Sequence, residues 1–280
     1  MREIIEFRIW EDDARKFLEP DLGVMLGDSI RKVVLPINDK RVKRIAKLNQ
    51  AYRKRGDVFF TYWDVRRSYS PEELESAPVL DLIINAYFEP TGSMCGTGYN
   101  EMVGCQYCRA GFHQVSDLML DTRRIPKGKD IAKTIAGEVV ISPRLVQACR
   151  EHGIHGADFR PVLHYGRKGP KPSEWSQLVV TSRPLKLDPR TKGGNNPFDL
   201  DEKNEFRCPE GHTAGLNLVS EVFLKQRSWD GSDWCQTDKL FGMRSGELRP
   251  EPRLLISQKL RQLLVSMKAK GFILEPAHLV

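Results

Sequence analysis

The chain has 280 residues, of which 40% are hydrophobic, 9% aromatic and 29% charged, a composition typical of a soluble globular protein. Six cysteines are too few for a disulfide scaffold of this length, and a Cys-x-x-Cys turn in a reducing compartment indicates metal binding or redox chemistry. No apolar run is long enough for a membrane span, and the charged first residues contain no signal-peptide core. We therefore expect a cytoplasmic protein with no membrane partner.

The formal net charge is +7 and the isoelectric point is about 9.1. The basic residues are spread along the chain, with groups within residues 41–55, 123–129 and 259–270. This balance permits contact with nucleic acid. It is also expected of solvated helix faces, which we favour as the explanation.

The first predicted elements are a strand over residues 3–9 and a basic amphipathic helix over residues 38–55. The apolar residues of the helix recur at the spacing of one helical face and are Val42, Ile45, Leu48 and Tyr52. Gly56 is a suitable residue to end this helix.

Further along, residues 58–63 (VFFTYW) predict a strand, and Ser70-Pro71-Glu72-Glu73 predicts the start of a helix. Residues 80–88 (LDLIINAYF) fit a strand or a buried helix, and we favour a strand. Residues 185–204 combine prolines, glycines and asparagines and predict a long flexible loop. The segment 63–69 mixes aromatic residues with arginines, as do nucleic-acid and protein interfaces, but a strand with core aromatics is favoured.

Two short knuckles carry most of the chemistry. The first knuckle is Cys105-Gln-Tyr-Cys108 and the second knuckle is Cys208-Pro-Glu-Gly-His212. Together they supply three thiolates and one imidazole, a complete tetrahedral ligand set for a structural Zn²⁺.

Two other arrangements of these ligands are open. Each knuckle can form its own site, the first by adding Cys95 or His113 and the second by adding Cys235. We favour one shared site. Glycine-rich flanks disfavour a redox pair, and four protein ligands disfavour a catalytic zinc with an open position.

A sequence repeat follows the knuckles. Residues 139–161 (VVISPRLVQACREHGIHGADFRP) align without a gap to residues 254–276 (LLISQKLRQLLVSMKAKGFILEP). The identical positions are Ile141-Ser142 with Ile256-Ser257, Leu145 with Leu260, Gln147 with Gln262, Gly156 with Gly271 and Pro161 with Pro276. The pattern predicts a strand, a Ser N-cap, an amphipathic helix ending near Gly, and a second strand. We favour an internal duplication over chance similarity.

The knuckles, Gly137-Glu138-Val139-Val140-Ile141-Ser142 and the stretch 156–161 together resemble the bacterial double-CxxCG motif proteins. Some of these are assigned as immunity proteins to polymorphic toxins in myxobacteria. The resemblance covers roughly residues 95–280. Arg109 stands where the motif has Gly, and Gly211 takes the second Cys position of the second knuckle, with His212 one place beyond. The resemblance implies a toxin as protein partner.

The predicted fold class is α+β. An N-terminal α/β region, residues 1–92, precedes two related strand–helix–strand halves, residues 93–184 and 185–280, joined by a structural zinc site into one domain. The metal ligands are Cys105, Cys108, Cys208 and His212. We expect a non-enzymatic, zinc-stabilised cytoplasmic binding protein of the immunity type. The alternative is a zinc-ribbon protein that binds nucleic acid.

Overall fold

The computed structural model of the chain describes residues 1–100, 102–108, 110–167, 169–201, 207–212, 216–242 and 246–280. It is a mixed α/β protein, which confirms the mixed class predicted from the sequence. The described residues form the helices α1 (Glu11–Phe17), α2 (Lys40–Arg53), α3 (Pro71–Ser76), α4 (Pro143–Glu151) and α5 (Gln258–Ser266). The strands up to the first knuckle are β1 (Arg2–Trp10), β2 (Val24–Leu26), β3 (Ile30–Pro36), β4 (Tyr62–Ser68), β5 (Val79–Ile84), β6 (Tyr87–Phe88) and β7 (Tyr99–Asn100).

Further strands follow between the knuckles and beyond them. Those between the knuckles are β8 (His113–Gln114), β9 (Leu118–Leu120), β10 (Ile131–Thr134), β11 (Val139–Ile141), β12 (Ala157–His164), β13 (Lys171–Val180), β14 (Gly193–Asn196) and β15 (Asp199–Leu200). Those after the second knuckle are β16 (Asn217–Leu218), β17 (Val222–Leu224), β18 (Trp234–Phe241), β19 (Glu251–Ser257) and β20 (Phe272–Leu279).

The chain divides into a first unit, Met1–Glu73, and a second unit, Leu74–Val280. The boundary lies earlier than the one expected at residue 92. The reason is that β5 pairs with β19 and β20, so it belongs to a sheet of the second unit.

The first unit is a four-stranded antiparallel sheet in the order β2-β3-β1-β4. Its chain order, strand–helix–strand–strand–helix–strand, is that of the split βαβ arrangement. Alternate residues of β1 point to one face, and on this strand Ile5, Phe7 and Ile9 are fully buried.

The helix predictions for the first unit are confirmed. Asp39 caps α2 by accepting a hydrogen bond from the Arg41 backbone N–H, and Val42 and Ile45 are buried. Ser70 and Glu73 cap α3 reciprocally. The Ser70 backbone N–H donates to the Glu73 carboxylate at 2.8 Å, and the Glu73 N–H donates to Ser70 Oγ at 3.2 Å.

The strand predicted over residues 58–63 is wrong in position. The strand begins at Tyr62, where pairing with Arg8 of β1 starts, and runs to Ser68. Phe59 and Phe60 are buried before it begins, so their apolar character reflects core packing rather than a strand. The segment 63–69 lies mostly in β4, and there Arg66 and Arg67 form ion pairs with Glu6 and Glu3.

Two sheets of the second unit share one pattern of strand pairing. The middle sheet has the order β6-β10-β11-β13-β12-β9, and the C-terminal sheet has the order β17-β20-β5-β19-β18. In each sheet, the two strands of a strand–helix–strand segment (β11-α4-β12 or β19-α5-β20) lie on either side of a central strand, β13 or β5. Both strands pair with this central strand in antiparallel orientation. An outer strand, β9 or β17, is parallel to the last strand of that segment.

The segment 80–88, predicted as one strand, forms two. β5 enters the C-terminal sheet and β6 pairs with β10 of the middle sheet. The predicted long loop at 185–204 contains the β14–β15 hairpin, and its last residues, 202–204, lie outside the described residues.

One hydrophobic core joins the two sheets. Leu80, Leu82 and Ile84 of β5 pack in the same cluster as residues of the middle sheet and of both helices. The fully buried members are Ile131 and Ile141 of the middle sheet, Leu145 and Cys149 of α4, Leu260 of α5, and Trp234 and Ile256 of the C-terminal sheet. The two sheets therefore fold as one body.

Asp130 and Asp233 make matching hydrogen bonds between the sheets, and both are almost completely buried. Asp130 precedes β10 and accepts from the N-cap hydroxyl of Ser142 at 2.9 Å and from the Lys270 backbone N–H at 3.0 Å. Its own N–H donates to the Lys270 carbonyl at 2.8 Å. Asp130 therefore connects the start of α4 in the middle sheet to the residue that precedes Gly271 and β20 in the C-terminal sheet.

Asp233 repeats this arrangement in the opposite direction. It accepts from the N-cap hydroxyl of Ser257 at 2.5 Å and from the His155 backbone N–H at 3.1 Å. Its own N–H donates to the His155 carbonyl at 3.1 Å. The two sheets are therefore joined by a reciprocal pair of buried aspartates.

A glycine comes directly after each of the two residues, His155 and Lys270, whose backbone contacts these aspartates. Gly156 has φ +96° and Gly271 has φ +116°, a region that favours glycine. A Cβ atom would lie 2.4 Å from the Trp234 carbonyl oxygen at Gly156 and 1.9 Å from the Ile131 carbonyl oxygen at Gly271. The close approach of the two sheets requires glycine at both positions.

We predict that Gly271→Ala lowers the free energy of unfolding of the second unit by roughly 3–5 kcal/mol. The cost of an unfavourable φ angle adds to the cost of a clash between the new Cβ atom and the Ile131 backbone. Gly128→Ala is the matched control, since Gly128 has φ +70° and a Cβ added there would meet no atom within 4 Å. It should cost about 1 kcal/mol. Urea unfolding measures both free energies, and equal losses would contradict the account of the close approach.

A second prediction concerns pH. Burial alone would raise the pKa of Asp130, but hydrogen bonds from Arg144, Ser142 and the Lys270 backbone outweigh it and lower the pKa. The pKa of Asp233 is lowered in the same way, by hydrogen bonds that outweigh burial. Because the folded pKa lies below the unfolded value of about 3.9, the charged form stabilises the fold above about pH 4. This stability is lost as the pH falls through the folded pKa.

Asp130→Asn should therefore lower the free energy of unfolding by roughly 2 kcal/mol at pH 7. The difference from the unsubstituted protein should shrink as the pH falls below about 4. Urea unfolding across this pH range measures the effect. A difference that stays constant would show that the Asp130 charge does not contribute.

Candidate metal centre

Each knuckle is a tight turn closed by a backbone hydrogen bond. In the first, between β7 and β8, the Cys105 N–H donates to the Ala110 carbonyl at 2.8 Å. In the second, the Cys208 N–H donates to the His212 carbonyl at 3.1 Å, and Gly211 adopts φ +77°. Glycine at this position lets the turn close so that Cys208 and His212 face the same side.

The structure brings all four predicted ligands together. One ligand atom from each of Cys105, Cys108, Cys208 and His212 lies within 4.8 Å of the others. His212 Nδ1 is 3.6 Å from Cys108 Sγ and 3.2 Å from Cys208 Sγ. Sulfur atoms bound to one tetrahedral Zn²⁺ lie about 3.8 Å apart, given Zn–S bonds of about 2.3 Å. The spacing of the cluster fits a metal ion at its centre.

The two sulfur atoms of the first knuckle have different environments, which shift their pKa values in opposite directions. Backbone N–H groups, first that of Cys108 and then that of Tyr107, point at the Cys105 sulfur and lower its pKa to about 7. Burial raises the pKa of Cys108 to about 12, and the neighbouring Cys105 and Cys208 thiols add to this effect. A divalent cation would supply the positive charge that three close sulfurs need.

Burial differs across the cluster. Cys108 is buried and packs with Ala110 and Leu240, Cys105 and Cys208 are half-buried, and His212 is exposed. The three thiols and one imidazole are a soft-to-borderline donor set, which suits Zn²⁺. These four residues would fill all four positions of a tetrahedral ion, so the arrangement fits a closed, structural site.

The two-site arrangement finds no support among the described residues, where the cluster includes neither Cys95, His113 nor Cys235. Cys235 is fully buried in a separate hydrophobic cluster, where burial raises its pKa to about 11. Cys149 is a core residue beside the repeat helices, and burial raises its pKa to about 11 as well. These cysteines are packing residues.

A buried carboxylate anchors the hairpin that carries the first knuckle. Glu138 accepts from Tyr99 Oη at 2.5 Å, from the Gly92 backbone N–H at 3.2 Å and from Thr134 Oγ1. Burial raises the pKa of Glu138. The Glu138 contacts fix the β7–β8 hairpin to the β10–β11 turn of the middle sheet.

An aromatic stack continues this anchor. Tyr99 stacks on Phe112 at a centroid distance of 4.7 Å, and the Arg249 guanidinium lies 4.1 Å from the Phe112 ring centroid. Sequence reasoning did not identify Glu138, Tyr99 or Arg249 as part of the site. The usable signal was the glutamate in an otherwise apolar stretch, GEVVIS, since a buried carboxylate needs partners.

These observations define a mixed α/β protein with a clustered Cys₃His ligand set. No protein-family model matches the chain, and no curated protein is significantly similar to it. The resemblance to double-CxxCG motif proteins therefore stays a prediction, and Arg109, where it departs from that motif, lies outside the described residues. In the described part of the chain, no helix is both long and apolar enough to cross a bilayer.

We predict that the purified protein contains one equivalent of zinc, which elemental analysis measures. Cys208→Ser should abolish the bound zinc and lower the melting temperature, because structural zinc contributes directly to folding. Cys95→Ala is the matched control, because Cys95 is a buried cysteine outside the cluster. Two equivalents, or zinc loss in Cys95→Ala, would contradict a single shared site.

Proposed function

We propose that the chain is a non-enzymatic binding protein whose second unit is stabilised by one structural Zn²⁺ bound to Cys105, Cys108, Cys208 and His212. The observation that supports the metal part of this proposal is the convergence of four ligand atoms from two distant knuckles within 4.8 Å. A metal with four protein ligands has no open position for substrate, so its role is to hold the two knuckles together.

A redox role for Cys105 and Cys108 is less compatible with the cluster. A thiol–disulfide pair needs two sulfurs and an accessible thiolate. Here a third thiol and an imidazole lie beside the pair, and Cys108 is buried. These neighbours are expected for metal binding and serve no purpose in disulfide exchange.

We also propose that the middle and C-terminal sheets arose by duplication and that the metal joins the two related halves. The ungapped alignment of residues 139–161 with 254–276 supports this. The matching strand pairings and the reciprocal bonds of Asp130 and Asp233 support it independently. Each knuckle precedes the corresponding outer strand, β9 or β17, so the two knuckles occupy equivalent positions in the two halves.

The particular role that we propose is that of a cytoplasmic immunity protein, which binds and occludes a toxin. This step rests on the resemblance of the knuckles and of GEVVIS to the double-CxxCG motif proteins. A basic chain complements an acidic partner surface, so we expect the toxin to present acidic residues at the contact.

The test is co-expression with the product of the gene directly upstream. We expect that product to arrest growth when expressed alone, and we expect this chain to restore growth. Cys208→Ser should lose most of the protection because loss of the metal destabilises the second unit, whereas Cys95→Ala should keep it. An upstream product without toxicity, or protection that is absent with the unsubstituted chain, would overturn the immunity role and leave the metal proposal standing.

A further inference from the structure

The excess positive charge of the chain is concentrated in one helix of the first unit. Residues 39–55, which include α2, contain eight basic residues and one acidic residue, against a net charge of +7 for the whole chain. No acidic residue lies in the first turn of α2. This helix is therefore the strongest local concentration of charge in the sequence.

Part of this charge is neutralised locally. Arg41 forms an ion pair with its N-cap residue Asp39 at 2.7 Å, and Arg44 forms one with Glu19 at 3.3 Å. Four lysines are exposed and have no ion pair among the described residues. They are Lys40, Lys43, Lys47 and Lys54.

These lysines lie on one side of α2. Their spacings of three, four and seven residues repeat the helical period, so the four side chains project in nearly the same direction. Val42, Ile45 and Asn49, the buried residues of the helix, lie on the opposite side. We call Lys40, Lys43, Lys47 and Lys54 the lysine face. It extends over about 21 Å at 1.5 Å per residue.

We propose that the lysine face binds the phosphate backbone of double-stranded nucleic acid. Duplex DNA carries one negative charge per about 1.7 Å of its axis, so the length of the face matches about 12 phosphates. Lysine is depleted in protein–protein interfaces, where tyrosine, tryptophan and arginine are enriched. A face of four lysines without an aromatic residue fits phosphate contacts better than a protein interface.

The open side of the sheet in the same unit does not offer an equivalent surface. Arg8, Lys32 and Arg66 lie there, and all three form ion pairs with the buried carboxylate of Glu6. The Arg8 guanidinium also covers the Tyr62 ring at 4.2 Å, so this ring is not free to stack on a base. The lysine face of α2 is therefore the better candidate surface of this unit for phosphate contacts.

The experiment measures binding of the full chain to a fluorescent DNA duplex at several salt concentrations. With four phosphate contacts, the slope of log K against log salt should be about −3.6, and affinity should fall about 150-fold between 50 and 200 mM salt. Changing Lys40, Lys43, Lys47 and Lys54 together to Gln should remove the binding. Glutamine is a good helix former, so α2 should persist, which circular dichroism checks.

The matched control changes four other exposed lysines to Gln. They are Lys127, Lys171, Lys186 and Lys192, which likewise form no ion pair within the part of the chain that the structure describes. This control has the same net charge as the α2 variant and should keep at least half of the affinity.

Three outcomes would overturn the proposal: no binding at 50 mM salt, equal loss in both variants, or equally tight binding to polyglutamate. The last would assign the face to an acidic protein. The experiment does not depend on the metal, so its failure leaves the proposed function untouched.

Discussion

Buried hydrogen bonds to two aspartates fix the position of the middle sheet relative to the C-terminal sheet. The candidate metal site depends on this arrangement, since each sheet contacts one of the knuckles. Asp130 and Asp233 each join a helix N-cap of one sheet to the backbone of the other. Glu138 then fixes the hairpin of the first knuckle to the middle sheet. Beside the second knuckle, the Leu216 carbonyl accepts from the Gly242 N–H at 2.7 Å, which ties that segment to the end of β18. Each knuckle is thus connected to one of the two sheets that the aspartates join.

The metal role proposed here is structural because the four residues would fill every position of a tetrahedral ion. Three sulfurs and an imidazole lie within 4.8 Å of one another, and as thiolates the three sulfurs would repel one another without a cation. A bound metal would join two segments that the hydrophobic core does not connect. The cluster around Cys108 and Ala110 is small and separate from the main core. A metal bound there, as proposed, would therefore add stability that this small apolar cluster does not supply.

Local patterns in the sequence predicted local structure well. The Ser70 capping box, the helix around Val42 and Ile45, and the two knuckles were predictable because their determinants lie within a few residues of one another. The division of residues 80–88 between two sheets was not predictable, since both strands are equally apolar and only their distant partners distinguish them. The hydrogen bond from the Lys270 backbone N–H to Asp130 was likewise not predictable, because it joins residues far apart in the chain. Phe59 and Phe60 misled the strand prediction because core packing and strand formation favour the same residues.

The most direct test of the account is X-ray absorption spectroscopy at the zinc edge of the purified protein. The shared site predicts three sulfur neighbours at about 2.3 Å and one nitrogen at about 2.0–2.1 Å. Cys208→Ser should not give this signal. A spectrum with two sulfurs and oxygen or nitrogen ligands would indicate separate sites at the knuckles, and a protein that folds and purifies without zinc would contradict the metal centre altogether.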